Sequence, residues 1–274
     1  MATNTLMRGL SSLKNQSGTK HKKLEASRPP GRVGATVSVV IPAMNEAKNL
    51  PKVLPHIPDW VDEVILVDGN STDDTVAVAR ALRPDIVVVK QDRRGKGAAL
   101  RCGFAVARGN IIVTLDADGS ADPAEISAFV GGLLAGADFV KGSRFVQGGE
   151  TLDMEWYRKL GNWGLLTLVR VAFGGRFTDL CYGYNAFWRD VLNYLDLSDS
   201  DGFEIETSMS VQALRARLRI FEIASKEFPR IHGVSNLRAI PDGFRVLSTI
   251  VKLGLSRPGL TKTSELTQFE QHLG

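Results

Sequence analysis

Two aspartates, Asp116 and Asp118, directly follow an apolar run that ends at Leu115. The run 111–115 is typical of a buried strand in a parallel sheet, and Gly119 begins a turn after it. Open α/β sheets bind ligands at the carboxyl ends of their strands. Side chains at positions i and i+2 of an extended chain share a face, so these carboxylates are expected to converge on one point. Converging carboxylates repel unless a cation lies between them, which predicts a divalent metal that holds a phosphorylated ligand.

A purely structural role for the same pair is the alternative. Aspartates that precede a helix either stabilise a turn or accept hydrogen bonds from the first amide groups of the helix, and a helix is predicted to begin near Pro123. Capping needs only one of the two carboxylates, which favours the metal site.

Strands and helices alternate along the first half of the chain. The predicted strands are 36–41, 63–67, 86–89, 111–115 and 138–141; the predicted helices are 45–54, one capped by Asp73 or Asp74, one ending near Ala107, and 123–135. This order predicts βαβ units and an α/β fold with a mostly parallel central sheet and helices on both faces. The second half is less regular, with predicted helices at 154–173, 203–218 and 244–255 and a strand at 219–228.

The positive net charge of +4 is concentrated at one end of the chain. Residues 1–32 carry seven Lys or Arg and one Glu, so the remainder is nearly neutral, which argues against a nucleic-acid partner. We expect a disordered basic tail over 1–34, one domain over 35–256 and a flexible tail over 257–274.

The cysteine content and the apolar segments favour a cytoplasmic protein. Two cysteines, Cys102 and Cys181, in 274 residues indicate a reducing compartment without a disulfide framework. Residues 1–32 lack the continuous apolar segment of a secretory signal. The longest charge-free run of helix 154–173, at 160–169, is too short to span a bilayer.

Known phosphate-binding motifs narrow the choice of function. There is no Walker-type loop, and 95–97 lacks the third glycine of a dinucleotide-binding turn. Residues 115–120 nearly match the signature of haloacid-dehalogenase phosphatases, with Asp116 as nucleophile and Asp118 as general acid. That signature follows the first strand, whereas three strand–helix units precede it here. It also needs a later acidic pair, where 139–144 offers basic residues instead.

Several segments together resemble the family 2 inverting glycosyltransferases: 39–46, 67–73, 95–97 and 116–118. Within that family the resemblance is greatest to the dolichol-phosphate mannose synthase group, supported by 142–144, Arg158 and 230–235. The resemblance covers about 37–255 and implies a GT-A type nucleotide-diphospho-sugar transferase fold for the domain.

The resemblance implies a site for a nucleotide diphosphate sugar. The residues that it assigns to this donor are Pro42, Ala43, Asn45, Glu46, Asp68, Asn70, Lys96, Asp116, Ala117 and Asp118. Asp116, Asp118 and Ser120 are the implied metal ligands, and oxygen ligands with substrate phosphates suit Mg²⁺ or Mn²⁺. The cation would neutralise the departing nucleoside diphosphate.

The same resemblance implies an acceptor site and catalytic residues. Arg144, Arg158 and Arg230 are the implied contacts to an anionic acceptor or to the leaving diphosphate, because a guanidinium forms bidentate bonds with phosphate. A hydroxyl acceptor needs a general base, for which Glu204 and Glu206 are the candidates. A polyprenyl phosphate is already anionic and needs little or no base. An equally good interpretation of both glutamates is that their negative charge complements a helix N-terminus. The implied catalytic set is Asp118, Glu204, Glu206 and Arg144.

The expected function is metal-dependent, inverting transfer of a sugar from a UDP- or GDP-linked donor. The acceptor is a polyprenyl phosphate or another, soluble molecule with a hydroxyl group. A non-catalytic nucleotide-sugar-binding protein is the alternative of another class, and the intact aspartates oppose it. The apolar helices at 156–173 and 244–255 are compatible with peripheral contact at the inner face of a membrane, although such faces are more often core. A homodimer is also compatible with the sequence.

Overall fold

The computed structural model describes residues 34–152, 154–234 and 237–256. The two predicted tails lie outside these ranges, except for Gly34, so their predicted disorder stays a prediction. The single domain predicted over 35–256 likewise stays a prediction, and the elements below all belong to the unit that begins at Ala35.

Nine strands form two sheets among the described residues. They are β1 (Val37–Ala43), β2 (Glu63–Asp68), β3 (Val87–Lys90), β4 (Ile111–Thr114), β5 (Phe139–Ser143), β6 (Glu150–Thr151), β7 (Asn185–Trp188), β8 (Ile220–Ala224) and β9 (Lys226–Glu227). The large sheet has the order β3-β2-β1-β4-β7-β5-β8, and β6 pairs with β9. Only β7 runs antiparallel to its neighbours in the large sheet, so the prediction of a mostly parallel α/β sheet is confirmed.

Six α-helices accompany the strands in the described part of the chain. They are α1 (Thr75–Leu82), α2 (Lys96–Val106), α3 (Ile126–Leu134), α4 (Trp156–Phe173), α5 (Ile205–Arg215) and α6 (Ala239–Leu255). The predicted helix 45–54 is wrong, because the chain forms a turn followed by two 3₁₀ segments, Leu50–Lys52 and Leu54–His56. Pro51 and Pro55 each lack an amide donor, so a continuous α-helix cannot extend through them. The predicted strand 219–228 is divided at Ser225 between the two sheets.

The central strands are fully buried and set the position of α2. Nearly all residues of β1 and β4 are buried, and most are apolar, because both faces of the strands are covered. Gly103 allows α2 to lie directly on the sheet, since a Cβ there would be 2.3 Å from Val40 Cγ1 and 3.0 Å from Val67 Cγ2. This close packing places Lys96, the first residue of α2, near the carboxyl ends of the strands.

The glycines around Lys96 serve close backbone contact. A Cβ at Gly97 would lie 2.0 Å from Ser200 O, and one at Gly95 would lie 2.1 Å from Asp201 O. Gly95 also has φ of +121°, which favours glycine. The Ala98 amide donates to Asp201 O at 3.1 Å, so segment 95–98 is fixed against the chain that precedes α5.

Candidate functional site

An ion cluster of Lys96, Asp116 and Glu206 lies just beyond the carboxyl end of β4. The Lys96 Nζ atom is 2.7 Å from Asp116 Oδ1, 2.9 Å from Asp116 Oδ2 and 2.8 Å from Glu206 Oε1. Glu206 belongs to the first turn of α5 and is only 2% exposed. The cluster therefore joins the starts of α2 and α5 to the end of the central strand.

Burial and charge act in opposite directions within this cluster. Burial alone lowers the pKa of Lys96, but the two carboxylates outweigh it and raise that pKa above its ordinary value. Burial raises the pKa of Glu206, and Lys96 only partly offsets the rise. Glu206 Oε2 has no hydrogen-bond partner among the described residues. The ammonium of Lys96 thus stabilises a carboxylate that the protein otherwise keeps from water.

Gly183 packs its backbone directly against this cluster. A Cβ at that position would lie 2.6 Å from Lys96 Nζ and 3.1 Å from Asp116 Oδ2. The Gly183 carbonyl accepts a hydrogen bond from Thr114 Oγ1 at 2.7 Å, and Lys141 Nζ donates to the preceding carbonyl, Tyr182 O, at 2.9 Å. Burial lowers the pKa of Lys141, which is fully enclosed. Buried polar groups therefore fix the backbone that covers the cluster.

Replacing Gly183 by Ala should reduce turnover without unfolding the protein. The backbone at Gly183 is not left-handed, and the nearest atom to the new methyl group is the movable end of Lys96. Because that methyl group moves Nζ away from Asp116, we expect a rate reduced by about 10²-fold, the cost typical of a displacement near 1 Å. Initial rates and melting temperatures measure the two effects.

Gly131→Ala is the matched control, because a Cβ at Gly131 meets no atom within 4 Å. It lies in α3, where alanine stabilises a helix by about 1 kcal/mol over glycine. Wild-type activity in the Gly183 variant would show that this close contact does not position the cluster.

A second ion cluster forms around Arg230. Its NH1 atom is 3.2 Å from Asp118 Oδ2, and its NH2 atom contacts Glu46 Oε1. Glu46 is buried, and its Oε2 atom accepts from Asn49 Nδ2 at 2.5 Å. Asn49 also donates to His232 O at 3.1 Å, so the chain around Arg230 is held between the end of β1 and the turn after β4. Burial raises the pKa of Glu46, although Asn49 and Arg230 oppose the rise.

Neither aspartate of the predicted metal pair caps the following helix. The cap is Asp122, whose Oδ1 accepts from the Ala124 amide at 2.9 Å. Asp118 instead stabilises its own turn, because Oδ1 accepts from Ser120 N at 3.0 Å and from Ser120 Oγ at 2.7 Å. The capping alternative is therefore wrong, and a local turn role applies to one oxygen of Asp118.

The chemistry of the two aspartates fits a divalent cation completed by a ligand. No group of three or more His, Cys, Asp or Glu side chains within 34–152, 154–234 and 237–256 is arranged to hold a metal ion by itself. Mg²⁺ commonly takes one or two carboxylates together with substrate phosphates. The side chains of Asp116 and Asp118 remain 32% and 21% exposed, and each is paired with a side-chain cation, Lys96 and Arg230 respectively. These partly exposed carboxylates are therefore the type of ligand that such a metal ion takes.

The turns after β1 and β2 are tied together at the same sheet edge. Asn45 Oδ1 accepts from Thr72 N at 2.7 Å, and Asp68 Oδ1 accepts from Ser71 N at 3.2 Å. Asn45 and Asn70 have positive φ values of 60° and 61°, which are rare for residues other than glycine and cluster at functional sites. Pro42 and Ala43 end β1 beside this turn, and Ala117 is buried between the two aspartates. Nucleotide contacts of these residues stay predictions.

The three predicted arginines lie in different environments. Only Arg230 contacts the aspartate pair. Arg144 is 4% exposed, with Nε at 2.6 Å and NH2 at 3.0 Å from the two oxygens of Asp179 and NH1 at 2.8 Å from Glu227 Oε1. Its charge is therefore neutralised inside the fold, which opposes the predicted role in catalysis and acceptor binding. Arg158 lies in the first turn of α4, and its side chain forms no hydrogen bond or ion pair with another described residue.

The two candidate bases are also separated. Glu204 precedes α5, and its Oε1 accepts from Gly202 N at 2.8 Å, so it stabilises its own turn. Only Glu206 pairs with Lys96, which in turn pairs with Asp116. Sequence reasoning missed Gly183, Lys141 and Asn49, because no local pattern links them to the aspartates. For Gly183, the one signal in the sequence is a glycine between two aromatic residues, Tyr182 and Tyr184.

Comparison with known proteins identifies similar chains. The family model described as Glycosyl transferase family 2 matches residues 38–195. Polyprenol monophosphomannose synthase of Mycolicibacterium smegmatis is 34% identical over 73% of this chain and 80% of its own length. Undecaprenyl-phosphate mannosyltransferase of Micrococcus luteus is 33% identical over 68% of this chain and 81% of its own.

A similar solved structure is glucosyl-3-phosphoglycerate synthase from Mycobacterium tuberculosis, crystallised with Mn²⁺, UDP-glucose and phosphoglyceric acid. Its TM-score is 0.67 at 28% identity, covering 81% of this chain and 80% of the other. The same synthase was also crystallised with Mg²⁺ and UDP.

Proposed function

Because this chain belongs to glycosyl transferase family 2, we propose that it transfers mannose from a nucleotide diphosphate donor to a polyprenyl phosphate. It is a glycosyltransferase with the GT-A fold, as the sequence predicts. The phosphatase alternative is therefore set aside. Two similar enzymes bear names that specify mannose and a polyprenyl phosphate, which supports the finer assignment. The observation that carries the proposal is the pair of ion clusters at Asp116 and Asp118, on the sheet edge where such folds bind ligands.

We propose that Asp116 and Asp118 hold Mg²⁺ or Mn²⁺ together with the donor diphosphate. The cation, when bound, neutralises charge that develops on the leaving nucleoside diphosphate. Lys96 and Arg230 are the two side-chain cations that pair with these aspartates. Both can bind phosphate oxygens through charge-assisted hydrogen bonds. Arg230 is the arginine proposed to contact the acceptor phosphate, because it lies against Asp118, whereas Arg144 is buried away from the aspartate pair beside Asp179 and Glu227.

The arrangement of Glu206 supports an acceptor that needs no base. A phosphate oxygen of a polyprenyl phosphate is anionic and attacks without loss of a proton. Glu206 is enclosed and paired with Lys96, which suits a carboxylate that positions the ammonium. We propose that Glu206 acts in this way, and that Glu204 stabilises the start of α5.

The proposed function is tested with the purified full chain, GDP-mannose or UDP-linked sugars, and Mn²⁺ or Mg²⁺. We expect transfer of mannose to a polyprenyl phosphate with inversion at the anomeric carbon, read from the product by mass spectrometry and NMR. Transfer only to a soluble hydroxyl acceptor such as phosphoglyceric acid would contradict the proposed acceptor. Full activity in a chelator would contradict the proposed metal.

Glu206→Gln should distinguish the two acceptor classes. We expect at most about a tenfold loss with a polyprenyl phosphate, because the amide still accepts a hydrogen bond from Lys96. A general base contributes about 10²- to 10⁴-fold, so a loss of that size, with a rate that rises with pH in the wild type, would show proton abstraction instead. Glu204→Gln is the matched control and should leave the rate near that of the wild type.

The proposed location of the protein follows from the proposed acceptor. No helix within the described ranges is long and apolar enough to span a bilayer. A lipid-linked acceptor nevertheless requires the enzyme to meet a membrane, so we propose peripheral contact at the inner face from the cytoplasm. The predicted homodimer stays a prediction.

A further inference from the structure

Two neighbouring helices expose apolar side chains that no described residue covers. On α4 these are Trp156, Leu160 and Trp163, and on α6 they are Ile240, Phe244, Leu247, Val251 and Leu255. The members of each set recur every three or four residues, so each forms one stripe along its helix. Trp156 is 75% exposed and Phe244 is 66% exposed. The helices α4 and α6 contact each other, and their two stripes together are called the two-helix apolar surface.

This surface is additional to the face with which α6 packs against the protein. Val246 and Ile250 of α6 are buried in a small core with Val169 of α4 and Val211 of α5. Of the apolar residues Leu247, Ile250, Val251 and Leu255 of α6, only Ile250 is buried. Exposed apolar patches on this scale mark interaction sites.

A cationic groove of about 410 Å³ adjoins the stripe of α4 at Trp163. Leu166 and Phe177 supply apolar lining, and Arg170 and Arg176 supply two guanidinium groups. Both arginines are exposed, and neither forms an ion pair with a carboxylate of the described residues. A basic residue in a last helical turn, such as Arg170, complements the helix dipole, but Arg176 lies beyond the helix and has no such role. Two unneutralised cations beside apolar side chains suit a phosphate attached to a hydrocarbon chain.

We propose that the two-helix apolar surface docks on a bilayer, with Arg170 and Arg176 binding the phosphate of an anionic phospholipid in the groove. Helices that lie in a membrane interface combine Trp, Phe and Leu on one face with basic residues beside it. Each arginine near an anionic leaflet adds about 1 kcal/mol of attraction. The inference rests on the proposed function, because a polyprenyl phosphate is met only at a membrane.

A second copy of this chain fits the same surface less well. A twofold interface places one patch against itself, which would bring the arginines of both copies together. Like charges that meet across an interface oppose association. The charge of the groove therefore favours an anionic bilayer.

Vesicle co-sedimentation of the full chain tests docking. We expect binding to phosphatidylcholine vesicles that contain phosphatidylglycerol, and weaker binding to phosphatidylcholine alone. The Trp163→Ser/Phe244→Ser variant should bind both about tenfold or more weakly, since two aromatic side chains lose their burial. Arg170→Gln/Arg176→Gln should lose about fivefold per arginine on the anionic vesicles only. Trp60→Ser and Arg80→Gln, which alter exposed residues of the same types elsewhere, should bind as the wild type does.

Activity separates a failure of docking from a failure of the proposed function. With a short-chain, water-soluble polyprenyl phosphate, the docking variants should equal the wild type, and they should be slower only on a long-chain acceptor in vesicles. Vesicle binding through these residues without transfer to any polyprenyl phosphate would refute the proposed function and leave docking supported.

Three results would overturn docking. One is a wild-type chain that does not bind anionic vesicles, or docking variants that bind these vesicles as well as the wild type does. Another is a stable dimer in solution that the Trp163→Ser/Phe244→Ser variant abolishes, which would identify a second copy as the occupant. The third is vesicle binding that arises only after deletion of 257–274, which would identify that segment as the cover.

Discussion

Replacing Asp118 by Asn should reduce sugar transfer by about a thousandfold, because the metal-assisted stabilisation that it supports is worth several kcal/mol. The amide oxygen can still accept the hydrogen bonds of Ser120, so the turn should persist. What the variant lacks is the negative charge that attracts the cation. Initial rates over a range of Mn²⁺ concentrations, with Mn²⁺ binding followed by calorimetry, measure the effect.

Asp122→Asn is the matched control for this variant, since it lies four residues further along the same loop. Asparagine caps a helix about as well as aspartate, so both the activity and the free energy of unfolding should remain close to wild type. An Asp118→Asn enzyme that keeps a tenth or more of the activity at saturating Mn²⁺ would refute the assignment of this residue to the metal.

Lys96→Met should lower the free energy of unfolding by about 3–5 kcal/mol near pH 8, since it leaves a buried carboxylate without its partner. The affected carboxylate is Glu206, with Asp116 partly relieved by solvent. Activity should fall as well, because the ammonium no longer positions either carboxylate. Urea unfolding at several pH values measures the stability, and exposed Lys48→Met is the control.

The free energy of unfolding of the Lys96→Met variant should fall as the pH rises. Burial already raises the pKa of Glu206 in the folded protein, and removal of Lys96 raises it further. As the pH rises above the ordinary pKa of about 4.3, the unfolded chain loses its proton while the folded chain retains it. The folded state then binds more protons, so its stability falls as the pH rises. The loss of stability relative to the wild type should be small at a pH near the ordinary pKa of a glutamate. It should reach its full size at a pH well above the raised pKa of Glu206.

A second substitution tests the origin of the deficit. Lys96→Met/Glu206→Gln removes both charges, so it should recover most of the lost stability at pH 8 and show little dependence on pH. A double variant as unstable as Lys96→Met would show that the loss came from packing of the lysine side chain.

Local signals in the sequence determined the central sheet and the position of the aspartate pair. The strands β1, β2 and β4 are short apolar runs bounded by turn residues, and that pattern depends only on neighbours in the chain. Asp116 and Asp118 follow one of these strands, so their place at the sheet edge was predictable. The same local reasoning failed over 45–54, where Pro51 and Pro55 interrupt the helical pattern.

Only the tertiary structure decided which charged side chains meet. Arg144 and Arg230 are equivalent by residue type, yet Arg144 pairs with Asp179 and Glu227 inside the fold, whereas Arg230 pairs with Asp118 and Glu46 at the sheet edge. Lys96 meets Glu206 because glycines let α2 approach both the sheet and the chain before α5, a consequence of packing that no short segment encodes.

The helices α4 and α6 also show which features the sequence determines and which only the tertiary structure decides. Their composition revealed apolar faces, but periodicity cannot tell which apolar face a protein buries. That choice depends on how the helices contact α5 and each other, and it leaves Trp163 and Phe244 exposed while it buries Ile250. The sequence thus determined the local elements and the chemistry at the strand ends. The fold decided the ion pairs and the exposed surface, because both arise from contacts between distant residues.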